Sequence, residues 1–123
     1  MRIGNDTLNL SSTDMAADIT SDPIWLGHIA NYNLQLVFTG APNGTFKLQI
    51  SNDLGYPDSA DEASRYVGLV NWTDMADSSQ PISAAGNHSY EVQNAGHRWV
   101  RLIYTFASGT GTMTSYRFNV KGV

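Results

Sequence analysis

The residues able to do chemistry are few and scattered. His28, His88 and His97 stand far apart, and none falls in the HExxH or HxH spacing that sets two imidazoles on one metal ion. No Gly-x-Ser-x-Gly elbow presents a serine as nucleophile, and no Ser, His and Asp grouping stands out. The absence of cysteine excludes a thiolate zinc site, a cysteine nucleophile and a disulfide framework. Carboxylates come closest, because Asp53, Asp58, Asp61 and Glu62 crowd one segment and hard oxygen ligands suit calcium or acid–base work on a sugar. Their spacing departs from the alternating ligands and terminal Glu of an EF-hand loop, so they read as solvated loop acids. "SGTGT", Ser108 to Thr112, lacks the lysine and helix of a phosphate cradle and reads as a hairpin turn. No catalytic, cofactor-binding or metal-ligating residue is expected.

Apolar chemistry is more informative. In "HRWVRLIYTF", alternation sets Val100, Leu102, Tyr104 and Phe106 on one face of a strand and Trp99, Arg101 and Ile103 on the other. A Trp, an Arg and an Ile along one side are costly to leave in water, and Trp and Arg are enriched in protein interfaces. Three readings stand. Another part of the same chain covers the face; or Trp99, Arg101, Ile103 and Arg117 form a subunit contact; or the face is a ligand platform. In the last case Trp72 or Trp99 stacks on a sugar ring while Asp53 and the acidic loop engage hydroxyls or calcium.

The elements that position these residues read as all-β. No stretch keeps apolar residues at helical spacing for three turns, and Gly, Ser, Thr, Asn and Asp recur throughout. "NYNLQLVFTG" alternates, with Tyr32, Leu34, Leu36 and Phe38 on one side. "APNGTF" supplies turn chemistry, and "TFKLQIS" continues with Phe46, Leu48 and Ile50 inward, so the two strands read as a hairpin. Residues 52–68 read as an exposed loop with a helical turn through Asp58 to Ser64. Short strands are expected near Trp72, Ile82 and Tyr90 to Val92, and in "DTLNLSS", "ADITSD" and "IWLGHI", the last with Pro23 at a strand start or edge. A final hairpin turns at "SGTGT" and packs Tyr116, Phe118 and Val120 back on Val100, Leu102 and Tyr104. The whole reads as one domain over 1–123: an antiparallel, jelly-roll-like β-sandwich of about seven to nine short strands. Barrel closure stays open as an alternative, and residues 1–12 read as an extended segment able to reach a neighbour.

At 123 residues the chain is long enough to bury roughly two thirds of its unfolded surface. Its net charge of −4 argues against a nucleic-acid partner, and no apolar run approaches the ~20 residues of a membrane span. The N-terminus lacks the apolar core of a secretory signal. Charge is segregated: residues 1–80 hold ten acids against Arg2, Lys47 and Arg65, whereas 81–123 hold Glu91 against Arg98, Arg101, Arg117 and Lys121. Either the two segments interleave in space, or oppositely charged regions help neighbouring subunits dock.

Two family resemblances arise from these residues. "FKLQISND", "VNWTDM" and "HRWVRLIYT" are similar to the discoidin, or coagulation-factor type C, pattern. Ser51-Asn52-Asp53, Trp72 and Trp99 to Leu102 carry that likeness, which covers less than half the chain, lacks the family's disulfide, and implies β-sandwich grammar. Over nearly its whole length the chain resembles small virion proteins of tailed bacteriophages, on "TDMAADITSDPIWLGHIANYNLQLVFTGAPNGTFKLQISND", "NWTDM", "NAGHRWVRLIYTFASGTGT" and "NVKG". That resemblance implies a non-enzymatic capsid decoration or accessory protein, assembled in the host bacterial cytoplasm and carried on the virion. Its implied partners are itself, as a homo-oligomer with a trimer favoured, and the major capsid protein or another virion protein. A glycan is the partner under the alternative, a carbohydrate-binding module.

Overall fold

The computed structural model describes residues 4–7, 13–27 and 29–120. Among them nine strands and one helical turn follow in chain order. They are β1 (Gly4–Thr7), β2 (Thr13–Asp14), β3 (Ile19–Thr20), β4 (Ile24–Trp25), β5 (Tyr32–Ser51), α1 (Glu62–Arg65), β6 (Thr73–Asp74), β7 (Gln80–Ile82), β8 (Gly86–Val92) and β9 (Trp99–Val120). Two long strands organise the rest. β5 and β9 run antiparallel beside each other from Tyr32↔Val120 to Ser51↔Trp99. Along its other edge β5 carries β8, β7 and β6 in turn, while β9 carries β4, β3, β2 and β1.

The expected hairpins at "APNG" and "SGTGT" are therefore corrected: both segments lie inside continuous strands. The same residue chemistry serves a bend instead. Gly40 and Gly109 take φ of +84° and +80°, and a Cβ on Gly109 would collide with the Ala41 carbonyl oxygen. Glycine is what lets the two backbones bend and approach so closely. The register shifts at Val37/Phe38 and at Asn43/Gly44, where β9 carries Thr114 and Ala107 as extra residues. Each bulge reverses which side chains face inward, and the two cancel. Even-numbered residues of β9 thus point inward at both ends, Val100, Leu102 and Tyr104 as well as Tyr116, Phe118 and Val120.

Bending at this corner folds the sheet into two leaves. The first contains β1, β8, the start of β5 and the end of β9; the second contains β3, β4, β6, β7, the end of β5 and the start of β9. Their inner faces meet in one core that includes Leu34, Leu36, Phe46, Leu48, Leu102 and Tyr116. Tyr90 Oη donates across the leaves to the Ser78 carbonyl at 2.8 Å, and the Tyr116 hydroxyl reaches Ser21 Oγ at 3.5 Å. The all-β sandwich expected from alternation is what the chain forms. Gly4–Thr7 pairs with β9 of the same chain, so this part of the N-terminal segment is engaged at home.

Candidate interaction surface

On the second leaf, the outer face is built from the odd-numbered residues of β5 and β9, and it carries every residue the sequence offered for recognition except Arg117. Trp99 does not stand in solvent: it is 1% exposed, in keeping with the reading in which the same chain covers this face and not with an open interface or platform. The cover comes from the same chain. After Ser51 the backbone arches back over the leaf as a flap, residues 52–72. Trp99 Nε1–H donates to the Asp53 carbonyl at 3.0 Å, with the Trp25 ring 5.1 Å away and the Tyr66 ring meeting it edge-on at 6.2 Å.

Asp53 fastens the flap rather than awaiting a ligand. Its Oδ2 accepts from the backbone N–H groups of Val70 and Asn71 at 2.9 and 2.8 Å, and its Oδ1 from the Asn71 side-chain amide at 3.1 Å. The Asn71 N–H, then the Asn71 amide and the Val70 N–H, hold the carboxyl below its ordinary pKa. Arg65 Nε donates to the Ser59 carbonyl at 2.7 Å and the Tyr56 N–H to the Arg65 carbonyl, closing the flap's own loop around α1. The helical turn falls within the expected segment, shifted by a few residues.

Arg101 is also engaged within the chain. Its Nε and Nη2 both donate to Gln49 Oε1, at 2.9 and 2.7 Å, and its guanidinium lies 4.2 Å from the Trp72 ring centroid. That geometry combines a forked hydrogen bond with a cation–π contact. Trp72, half-buried, donates through Nε1 to the Leu69 carbonyl. Beyond it Asp74 accepts from Gln49 Nε2 and Lys47, and the Gln49 amide first, then Lys47, lowers its pKa. Ile103 is half-buried on the same face, paired with Lys47 in register. The proposed sugar platform of Trp72, Trp99 and Asp53 is thus committed to internal contacts, and the residues it would use are the ones that close the flap.

Arg117 lies elsewhere, exposed on the outer face of the first leaf, opposite Gln35. Its Nε donates to Ser115 Oγ. The structure therefore separates it from Trp99, Arg101 and Ile103 instead of joining them in one contact. His88 meets the Tyr90 ring and His97 bonds the Tyr32 hydroxyl at 2.8 Å; His28 is outside the described residues. Among the described residues no three His, Cys, Asp or Glu side chains come together as a metal group, and no helix is long and apolar enough to cross a membrane.

What sequence reasoning missed is the outside of the flap. Leu54, Tyr56, Val67 and Val70 are all exposed there. Their signal was present as apolar residues in a segment without strand or helix period, which is where an apolar side chain has no assured inner face.

The architecture is an antiparallel β-sandwich, and a known structure shares it. The SPBc2 prophage-derived protein YomS superimposes with a TM-score of 0.54 at 11% identity, covering 97% of this chain and 92% of its own. The tobacco streak virus coat protein gives 0.46 at 10% identity, over 98% of this chain and 86% of that one, and PirA gives 0.42 at 10% over 96% and 91%. At 11% identity the likeness to YomS is one of fold, and a fold of this kind carries many functions. No protein-family model matches the chain, and no curated protein matches it in sequence.

Proposed function

We propose that this chain is a non-enzymatic structural component of a phage particle, a capsid decoration or other accessory virion protein that self-associates. The trimer is the favoured state, matching local threefold symmetry of a shell. The observation that carries this reading is the sandwich itself, which follows that of a prophage-derived protein over nearly its full length. The disposition of polar groups supports it: Asp53, Trp72 and Arg101 are used to hold a flap on the sandwich, leaving the outer surface to contacts rather than chemistry. Many copies of a modest contact reinforce a shell through multivalency, so no single interface need be strong. Mass spectrometry of particles purified from cells carrying the gene tests the assignment. The chain is expected in the particle band at a stoichiometry set by shell or tail symmetry. Recovery only in the unassembled fraction would overturn it.

A further inference from the structure

Each leaf of a sandwich ends in strands whose outer backbone groups face solvent, and chains guard such edges with short strands, proline, lysine or bulges. Most edges of this chain are guarded. β2, β3, β4 and β6 are two residues each, β7 is three with Pro81 inside it, and β1 is four. β8 differs: it runs for seven residues, Gly86–Val92, with neither proline nor lysine, and pairs with β5 without a register shift. Alternate residues of an antiparallel strand turn both N–H and C=O away from the neighbour they pair with. Among the described residues β8 pairs with β5 alone, and no other group bonds the backbone along its far side. The edge therefore presents a row of donors and acceptors whose match is another extended strand.

The side chains select which strand. His88 and Val92 face inward with Tyr90 yet are only half-buried, and the space beside the Gly86 α-carbon is open, with nothing within 4 Å of an added Cβ. Asn87, Ser89 and Glu91 face outward and are exposed. Laid antiparallel on a second copy of itself about a twofold axis at Ser89, β8 is matched over its full length. Ser89 then meets Ser89, Asn87 meets Glu91, His88 meets Tyr90, and Gly86 meets Val92, whose side chain enters the open space. The match also sorts by face: the inner row Phe118, Leu34, Tyr90 continues into His88, Leu36, Tyr116 of the second copy. No like charges oppose each other. An axis at Glu91 would bring two carboxylates together, and an axis at any residue but Ser89 leaves part of the strand unpaired.

We infer that two copies join through their β8 edges, antiparallel and in register about Ser89, so that the first leaves of the two sandwiches form one continuous sheet. The contact is isologous: it joins single chains into dimers, or trimers into pairs. This inference rests on the self-association reading above, and the test separates the two.

Sedimentation equilibrium is run on the full chain, on Ser89→Lys, on Ser89→Glu, on an equimolar mixture of those two variants, and on Asn87→Lys. Circular dichroism and thermal melting establish that each variant is folded. The wild-type chain is expected at even multiples of the chain mass, as a dimer or as paired trimers. Ser89→Lys and Ser89→Glu each set like charges across the axis and are expected to associate about tenfold more weakly or worse, whereas their mixture recovers association as opposite charges meet. Asn87→Lys is expected to tighten association about threefold through two new pairs with Glu91, a gain that adding Glu91→Gln removes. A wild-type chain that stays single at about 1 mM overturns self-association and the edge contact together. A trimer alone, or association that both Ser89 variants leave unchanged, overturns the edge contact and leaves self-association standing. So does a loss in the two Ser89 variants that mixing fails to recover, since that result belongs to a surface where Ser89 does not meet itself.

Discussion

Gly55 sets its bare α-carbon against the ring edge of Trp99, so near that a Cβ there would lie 2.8 Å from Trp99 Cζ2. The same residue has φ of +58°. Gly55→Ala therefore adds a steric overlap to backbone strain, and about 1–3 kcal/mol of destabilisation is expected. Gly68→Ala is the control, because Gly68 also has positive φ, at +87°, but nothing lies within 4 Å of its added carbon. Urea unfolding should show the Gly55 variant losing clearly more stability than the Gly68 variant. Equal losses would mean that the flap does not press on the indole.

Acid should loosen the flap before it unfolds the sandwich. The folded-state pKa of Asp53 lies below its ordinary value of 3.8, chiefly through the Asn71 N–H. A carboxylate lowered in this way contributes stability that is complete above the unfolded value and is lost as pH falls through the folded one. Asp74, lowered by Gln49 and Lys47, acts in the same direction on the same face. Tryptophan emission should shift red at acidic pH ahead of the far-ultraviolet signal. In Asp53→Asn the shift should already be present at neutral pH and should vary less with acid. A wild-type acid transition in which both signals move together would contradict a separately anchored flap.

Arg101→Glu is expected to damage the single chain. It removes two hydrogen bonds to Gln49 and the stack on Trp72, and it sets a carboxylate near the Asp74–Gln49 pair. The cost should be about 1–3 kcal/mol and independent of protein concentration. A variant with undiminished monomer stability and weakened association would return Arg101 to a subunit contact.

At the corner of the sheet, Gly109→Ala should be worse than most surface changes. Its φ of +80° disfavours a side chain, and the Ala41 carbonyl occupies the space a Cβ needs. A loss of at least about 2 kcal/mol is expected in thermal or denaturant unfolding, since the backbone of β5 would have to move. A neutral outcome would indicate a hairpin-like freedom at Ser108 to Thr112 that a continuous strand does not have.

Alternation made the inner face of the sandwich legible before any coordinates. Tyr32, Leu34, Leu36, Phe46 and Leu48 in β5, and Val100, Leu102 and Tyr104 in β9, all face the core as their spacing requires. Strand continuity was hidden, because Gly, Pro and Asn at residues 40–44 and Gly at 109 and 111 suit a tight turn and a sheet corner equally. Two compensating bulges then leave the parity at both ends of β9 as a hairpin would have it. The fate of Trp99 was less accessible still. Its outward direction follows from Val100, but its cover depends on a 21-residue flap held by an aspartate, a tryptophan and an arginine that no local period connects.

The most direct measurement is the emission of Trp99 alone, in a chain carrying Trp25→Phe and Trp72→Phe, at dilutions where sedimentation finds only single chains. The flap predicts blue-shifted emission resistant to acrylamide, unchanged on dilution. Emission that is red and freely quenched in the single chain, and becomes shielded only when chains associate, would contradict the account.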